Sequence, residues 1–301
     1  MKSVFRAAAL LILLCAAAVS RADVKVLASL HPLALVAASV TPAEDLSVLV
    51  PAGMTPHDFS LKPSDIRRIR EAGIIFWGGE QAEPYLVEFA RRWPDKQWID
   101  ISQFAPQDDH EAGHPGHDEH GNGHNDDHGD EHESDEHQGN EHHDPHWWLA
   151  PDVMIRAQAA LAEALNQDPA PFAAAVTAQL DSSRSQLAAV KEHGFFVFHR
   201  AYDHWVEAMD LKQLGAFTIS PERKPGMKTL QAMREQLQNG DVRCVFSEPE
   251  FSPAILDSAV RGLDIRRGEL DPMAASVAIT SDGYVRYLQH LTEQFRRCLA
   301  G

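Results

Sequence analysis

Apolar residues in this chain come in two alternating patterns, short runs of four to six positions and longer stretches where they recur three or four apart. Val24–Ser29, Leu46–Leu49 and Ile74–Trp77 belong to the first kind and predict short buried strands. Leu33–Val40 and Pro63–Ala72 belong to the second; Pro63–Ala72 carries Ile66 and Ile69 at helical spacing and begins with Pro63 and Ser64, a favourable helix start. An alanine-rich stretch from Asp152 to about Lys191, broken at Asn166–Pro171, predicts two helices. The second, from about Pro171 to His193, is long enough at 1.5 Å per residue to run roughly 30 Å and cross from one domain to another. The strand and helix alternation then resumes: strand Phe195–Phe198, helix Ala201–Met209, strand Leu214–Ile219, helix Gly226–Gln238, strand Cys244–Ser247, helix Pro253–Arg261, strand Asp264–Arg267 and helix Tyr284–Leu299. This order predicts an α/β fold of two similar lobes, each a parallel-type sheet flanked by helices, bridged by one long rigid helix. The corresponding division is an N-terminal lobe at 23–168, a bridge at 169–193 and a C-terminal lobe at 194–301.

One stretch fits neither pattern. Residues 107–146 hold eleven histidines and fourteen Asp/Glu and not one Lys or Arg. Such a segment has nothing from which to build a core, so a solvated, disordered loop at 107–143 is expected. Its histidines recur mostly at every third to fifth place, at His110, His114, His117, His120, His124, His128, His132 and His137, and the tract closes with His142 and His143. A linker needs no such spacing. Imidazoles and carboxylates at this density predict many weak, exchangeable sites for divalent transition metals. The texture then turns aromatic and apolar at Asp144-Pro145-His146-Trp147-Trp148, which assigns His146 to the folded body.

The N-terminus sets Lys2 and Arg6 before an apolar run from Ala7 to Val19 and the small-x-small ending Ser20-Arg21-Ala22. This predicts a secretory signal peptide over 1–22, cleaved after Ala22, and an exported mature chain. That chain carries 24 Lys/Arg against 44 Asp/Glu, and fourteen of the acids lie in the 107–146 stretch. The body is only mildly acidic and has no basic patch, which argues against nucleic acid as a partner. Two cysteines remain, Cys244 and Cys298, in a compartment where oxidation is permitted; one disulfide tying the last helix to a core strand is the expected pairing. Paired thiolate ligands would need a clustered spacing that the chain lacks.

Three histidines outside the tract stand at informative places. His57 lies in a turn-rich stretch after a strand, His146 follows the tract, and His199 ends the strand Phe195–Phe198. Ligands of open α/β sheets collect beyond the carboxyl ends of strands, so three neutral imidazoles from different strand ends would form a cleft site for zinc, completed by a carboxylate or water. Each also has a plainer reading: His57 as a turn cap, His146 as the last of the tract, His199 as a polar strand end. His204 is a competitor one turn away, His31 is expected to line the cleft, and His193 and His290 to serve the surface or packing.

Pro51–Asp65 (PAGMTPHDFSLKPSD), Asp144–Pro151 (DPHWWLAP), Phe198–Tyr202 (FHRAY) and Gly268–Met273 (GELDPM) together resemble the metal-binding subfamily of ABC-transporter solute-binding proteins, in its zinc-specific, ZnuA-type branch. The resemblance spans the whole mature chain. It implies His57, His146 and His199 as ligands of Zn(II), carried as cargo rather than used in catalysis, and it agrees with the Cys244–Cys298 pairing. In manganese and iron relatives a carboxylate from the last domain completes the site, and Asp271 matches it here; some zinc-specific members place a Glu before the first histidine, where this chain has Pro56. Asp271 or water is left for the fourth position, with Asp271 otherwise standing behind the ligands. The implied partner is an ABC-transporter inner-membrane permease, with a periplasmic zinc chaperone as a further candidate, and the protein is expected to be a monomer. Two other classes compete: a secreted zinc hydrolase, since three histidines and a water are also a catalytic arrangement, and an extracytoplasmic metal buffer acting through the tract alone. No H-E-x-x-H on a predicted helix accompanies the three histidines, the HEAGH at His110–His114 falling inside the tract expected to be disordered, which counts against the hydrolase.

Overall fold

The computed structural model describes residues 24–106, 144–218, 227–251 and 254–301. The signal segment and the tract 107–143, with His110 through His143, lie outside the described residues. In the N-terminal lobe β1 (Val26–Leu30), β2 (Leu46–Val50), β3 (Ile74–Trp77) and β4 (Gln97–Asp100) form a parallel sheet of order β2-β1-β3-β4. Helices α1 (His31–Ala37), α2 (Pro63–Glu71) and α3 (Val87–Arg92) connect them. After the tract come α4 (Pro151–Ala164) and α5 (Ala170–Leu187), and then β5 (Gly194–His199), α6 (Asp203–Ala208), β6 (Gln213–Thr218), α7 (Met227–Asn239), β7 (Val242–Ser247), α8 (Ala254–Ala259), β8 (Arg266–Glu269) and α9 (Gly283–Ala300). The second sheet, β6-β5-β7-β8, is parallel with the same order.

The fold follows from where apolar residues are continuous. The central strands β1, β3 and β5 are buried at every position, as strands covered by helices on both faces must be. The edge strands β4 and β8 are not: β4 buries only Ile99, and three of the four residues of β8 (RRGE) are charged. The expected strand at 264–267 therefore lies two residues later, where pairing of Arg266 with Cys244 fixes it, and β4 carries too little apolar signal to be seen in the sequence. Helix α5 bridges the two lobes and stops at Leu187, six residues before His193. Tight turns follow it, and Gly194 must pass so close to Asp241 that a Cβ there would stand 2.5 Å from its carbonyl oxygen.

The two lobes share a core. Buried residues of β1 and α1 are continuous with those of α5, β5 and α9, and Ser183 on α5 meets Thr292 on α9 at 2.7 Å with both fully buried. Cys244 on β7 is bonded to Cys298 on α9, with a Cα–Cα distance of 5.9 Å. Packing of this extent makes the pair of lobes stiff, and a stiff frame is what a preorganised site requires.

Candidate metal centre

All three strand-end histidines reach one place. The chain leaves β2 at Val50, turns through Gly53 at a φ of 78°, and enters a short 3₁₀ turn at Pro56–Asp58 whose start is capped by Thr55, its hydroxyl accepting from the His57 backbone N–H at 3.3 Å. His146 precedes a second 3₁₀ turn, Trp147–Leu149, that leads into α4. Asp144 fixes it: one carboxylate oxygen accepts from the His146 backbone N–H at 2.9 Å and from its ring Nδ1 at 2.5 Å. His199 is the last residue of β5, and its Nδ1 donates to both carboxylate oxygens of Glu248 at 2.8 and 2.7 Å. With each Nδ1 proton committed to a carboxylate, the Nε2 atoms of His146 and His199 face the centre; a carboxylate behind a ligating imidazole sets its tautomer and raises its basicity.

One potential ligand atom from each of His57, His146 and His199 lies within 4.8 Å of the other two. The Nε2 atoms of His146 and His199 are 3.3 Å apart. Zinc–nitrogen bonds of about 2.0–2.1 Å in a tetrahedron span an edge of about 3.3–3.4 Å, so this pair already has the spacing of two zinc ligands. The cavity they share with Thr55, Glu248, Glu250 and Met273 holds about 10 Å³, room for one water-sized guest.

Electrostatics separate the three rings. Burial, reinforced by His146 and His199, lowers the His57 pKa to about 3, so this imidazole is neutral and ready to ligate. Burial also opposes a charge on His199, but Glu248 overrides it and raises His199 above the ordinary histidine value. Asp144 is held below the usual carboxylate range, because His146 outweighs its burial. Burial and the nearby Asp271 and Glu248 push the Glu250 carboxyl up to about 7; its own backbone N–H and His199 act against that rise without cancelling it.

The remaining histidines are elsewhere. His204 stacks on Trp147 with ring centroids 4.0 Å apart and its Nε2 bonds the Asp144 carbonyl, so it braces the site from outside. His31 bonds Val277 O at 2.9 Å and does not line the cavity; His193 bonds Leu299 O, and His290 borders an open surface depression. Asp271 is buried beside the cavity with its oxygens accepting from the backbone N–H groups of Met273 (2.9 Å) and Ala275 (2.6 Å). Sequence reasoning missed Glu248 and Glu250. Both follow the end of β7, so the strand-end rule that selected His199 applies to them equally.

The segment carrying His146 is tied to the C-terminal lobe. Asp144 accepts from the Asp203 N–H at 3.1 Å, Trp148 Nε1 donates to Pro272 O at 2.8 Å, and Tyr284 OH donates to Trp148 O at 3.0 Å.

Comparison with known proteins gives a consistent result. Residues 26–298 match the family model described as zinc-uptake complex component A, periplasmic (ZnuA). The chain is 32% identical over 304 residues to the high-affinity zinc uptake system protein ZnuA of Yersinia pestis, covering 92% of each, and 34% identical over 292 residues to that of Haemophilus ducreyi, covering 92% of this chain and 94% of the relative. Among solved structures, a ZnuA crystal structure aligns with a TM-score of 0.69 at 18% identity, over 92% of this chain and 99% of that one. A mutant of the laminin-binding adhesin of Streptococcus agalactiae aligns at 0.71 and 17%, with the same coverage; these two likenesses are of fold.

Proposed function

Because the chain belongs to the ZnuA family of periplasmic zinc-uptake components, we propose that it holds its cargo, Zn(II), through His57, His146 and His199 at the mouth of the two sheets. Members of this family capture zinc with high affinity and deliver it to an ABC importer; they are solute-binding proteins and not enzymes. The observation that carries the ligand assignment is the 3.3 Å between two imidazole Nε2 atoms whose Nδ1 atoms are both anchored on carboxylates. Imidazole nitrogen suits zinc, whereas Mg²⁺ and Ca²⁺ require oxygen-rich shells. The hydrolase reading is disfavoured by space: a cavity of about 10 Å³ admits an ion or a water and has no room for an ester or a peptide.

The rest of the reading follows from export. The mature chain begins after Ala22, the lobes occupy 23–168 and 194–301 about a bridge at 169–193, and a monomer presents both lobe faces to an inner-membrane permease. The transporter's cytoplasmic ATPase lies beyond reach of an exported protein. The tract 107–143 supplies weaker auxiliary sites. Asp271 stands behind the ligands, since both its oxygens already accept backbone hydrogen bonds. The test is His146→Ala: zinc affinity is expected to fall by orders of magnitude, with an unchanged far-ultraviolet circular dichroism spectrum. Retained tight binding by that variant lacking 107–143 would defeat the assignment.

A further inference from the structure

Three histidines leave a tetrahedral ion one ligand short, and four carboxylates surround or approach the cavity: Asp144, Glu248, Glu250 and Asp271. Three of them are already employed. Asp144 accepts from the His146 ring and from two backbone N–H groups, Glu248 accepts from the His199 ring with both oxygens, and Asp271 accepts two backbone N–H groups. Glu250 is different. Both of its carboxylate oxygens are buried and neither accepts a hydrogen bond from another residue, yet the residue lines the same small cavity as His57, His146 and His199.

A buried carboxylate without a donor is costly, and such a group in a native fold calls for an absent water or ion. Here the cavity itself supplies the place. Glu250 follows Glu248 by two residues beyond the end of β7, and the next residue, Phe251, stacks on Phe198 at 5.1 Å and packs edge-on against His199 at 6.0 Å between centroids. The backbone carrying Glu250 is therefore fixed against the strand that presents His199. Its oxygens do not stand within 4.8 Å of all three imidazole nitrogens in the described arrangement, so coordination requires rotation about its side-chain bonds. That rotation gives up at most the contact with its own backbone N–H, whereas Asp271 would have to give up hydrogen bonds to two other residues.

We propose that Glu250 is the fourth ligand, swinging in to place one carboxylate oxygen on the zinc ion held by the three histidines. The inference rests on the ligand assignment above and adds to it an anionic oxygen donor, supplied by the C-terminal lobe, in place of Asp271 or water. An N₃O shell with a carboxylate binds a divalent ion more tightly than one closed by water, and it makes affinity depend on a single side chain that is free to leave.

The experiment compares wild type, Glu250→Gln, Asp271→Asn and His146→Ala, each in an otherwise complete two-lobe chain lacking 107–143, with zinc as the probe. Affinity is read by competition with a chromophoric chelator, and coordination by infrared difference spectroscopy of the carboxylate stretches between the apo and zinc-loaded forms. Glu250→Gln is expected to weaken zinc binding roughly tenfold or more and to abolish a carboxylate band that shifts on loading, while Asp271→Asn keeps that band. If Glu250→Gln lowers the apo melting temperature, Glu250→Asp and Glu250→Ala are read instead. An affinity within about threefold of wild type with the shifted band intact overturns the proposal, as does loss of the band in Asp271→Asn. In either case loss of tight binding in His146→Ala leaves the three-histidine site standing; tight binding retained by His146→Ala removes that site and this proposal together.

Discussion

Replacing Glu248 by glutamine should weaken zinc binding about 100-fold without touching a ligand. The glutamine keeps one oxygen to accept the His199 Nδ1–H, so the ring stays in place, but the negative charge behind it is gone. The carboxylate stands 2.7 Å from Nδ1, and the width of the ring plus a zinc–nitrogen bond puts the ion about 6.5 Å away. At an effective dielectric of about 20, one charge on a divalent ion at that distance contributes roughly 5 kcal/mol, a ceiling because the amide dipole retains part of the effect. Mutations of partners behind metal ligands typically cost about 10–100-fold, or roughly 1.4–2.7 kcal/mol, and full burial of Glu248 argues for the upper end. A second readout separates this cause from general damage. Because Glu248 is what raises the His199 pKa, the variant should also release less proton on zinc binding near neutral pH. Chelator competition measures the affinity and calorimetry in buffers of different ionisation enthalpy measures the proton count. An affinity within about twofold of wild type, or weakened binding with unchanged proton release, would refute the reasoning.

Acidification should unload the protein. His199 has a raised pKa, so it gains its proton as pH falls through that value, and affinity should fall about tenfold per pH unit below it, read by titration at several pH values; His57, held near about 3, adds no proton competition above that value. Converting Cys244 and Cys298 to serine removes a link closing 54 residues of chain and should cost roughly 2–4 kcal/mol in denaturant unfolding, while the unmutated exported protein should show no free thiol before reduction and two after it. Deleting 107–143 should preserve one tight binding event and remove the weaker ones in a zinc titration; a flexible segment loses chain entropy in wrapping an ion, so its sites are weaker than a preformed cleft, and loss of the tight event would reverse the roles.

Much of the architecture was legible because central parallel strands must be apolar throughout, and IIFW, FFVF and CVF announce themselves. The edge strand QWID and helix α3 did not, since half-exposed elements leave no such run. The three histidines were found by their position after strands together with the family resemblance. Their convergence was not legible, because it depends on two sheets of matching order meeting across a shared core. Glu248 and Glu250 were overlooked because acidic residues are common in this chain, and nothing in the sequence marks which carboxylate lies behind an imidazole and which is left idle.

The clasp that binds Asp144 and Trp148 to the C-terminal lobe divides the ligands unequally. His146 comes from the N-terminal half of the chain, yet mechanically it travels with His199, and only His57 rides on the turn after β2. If zinc is held as proposed, the cargo is gripped by a fixed pair, one detachable finger in His57, and the swinging carboxylate of Glu250. On that reading a permease would not need to prise two lobes apart to unload it: displacing the short turn 51–58 would lower the denticity while the rest of the molecule keeps its shape. Zinc should accordingly leave His57→Ala faster by stopped-flow chelation while the pair still registers as a residual weak site, and a His57→Ala protein with no residual site would show that the pair cannot hold the ion alone.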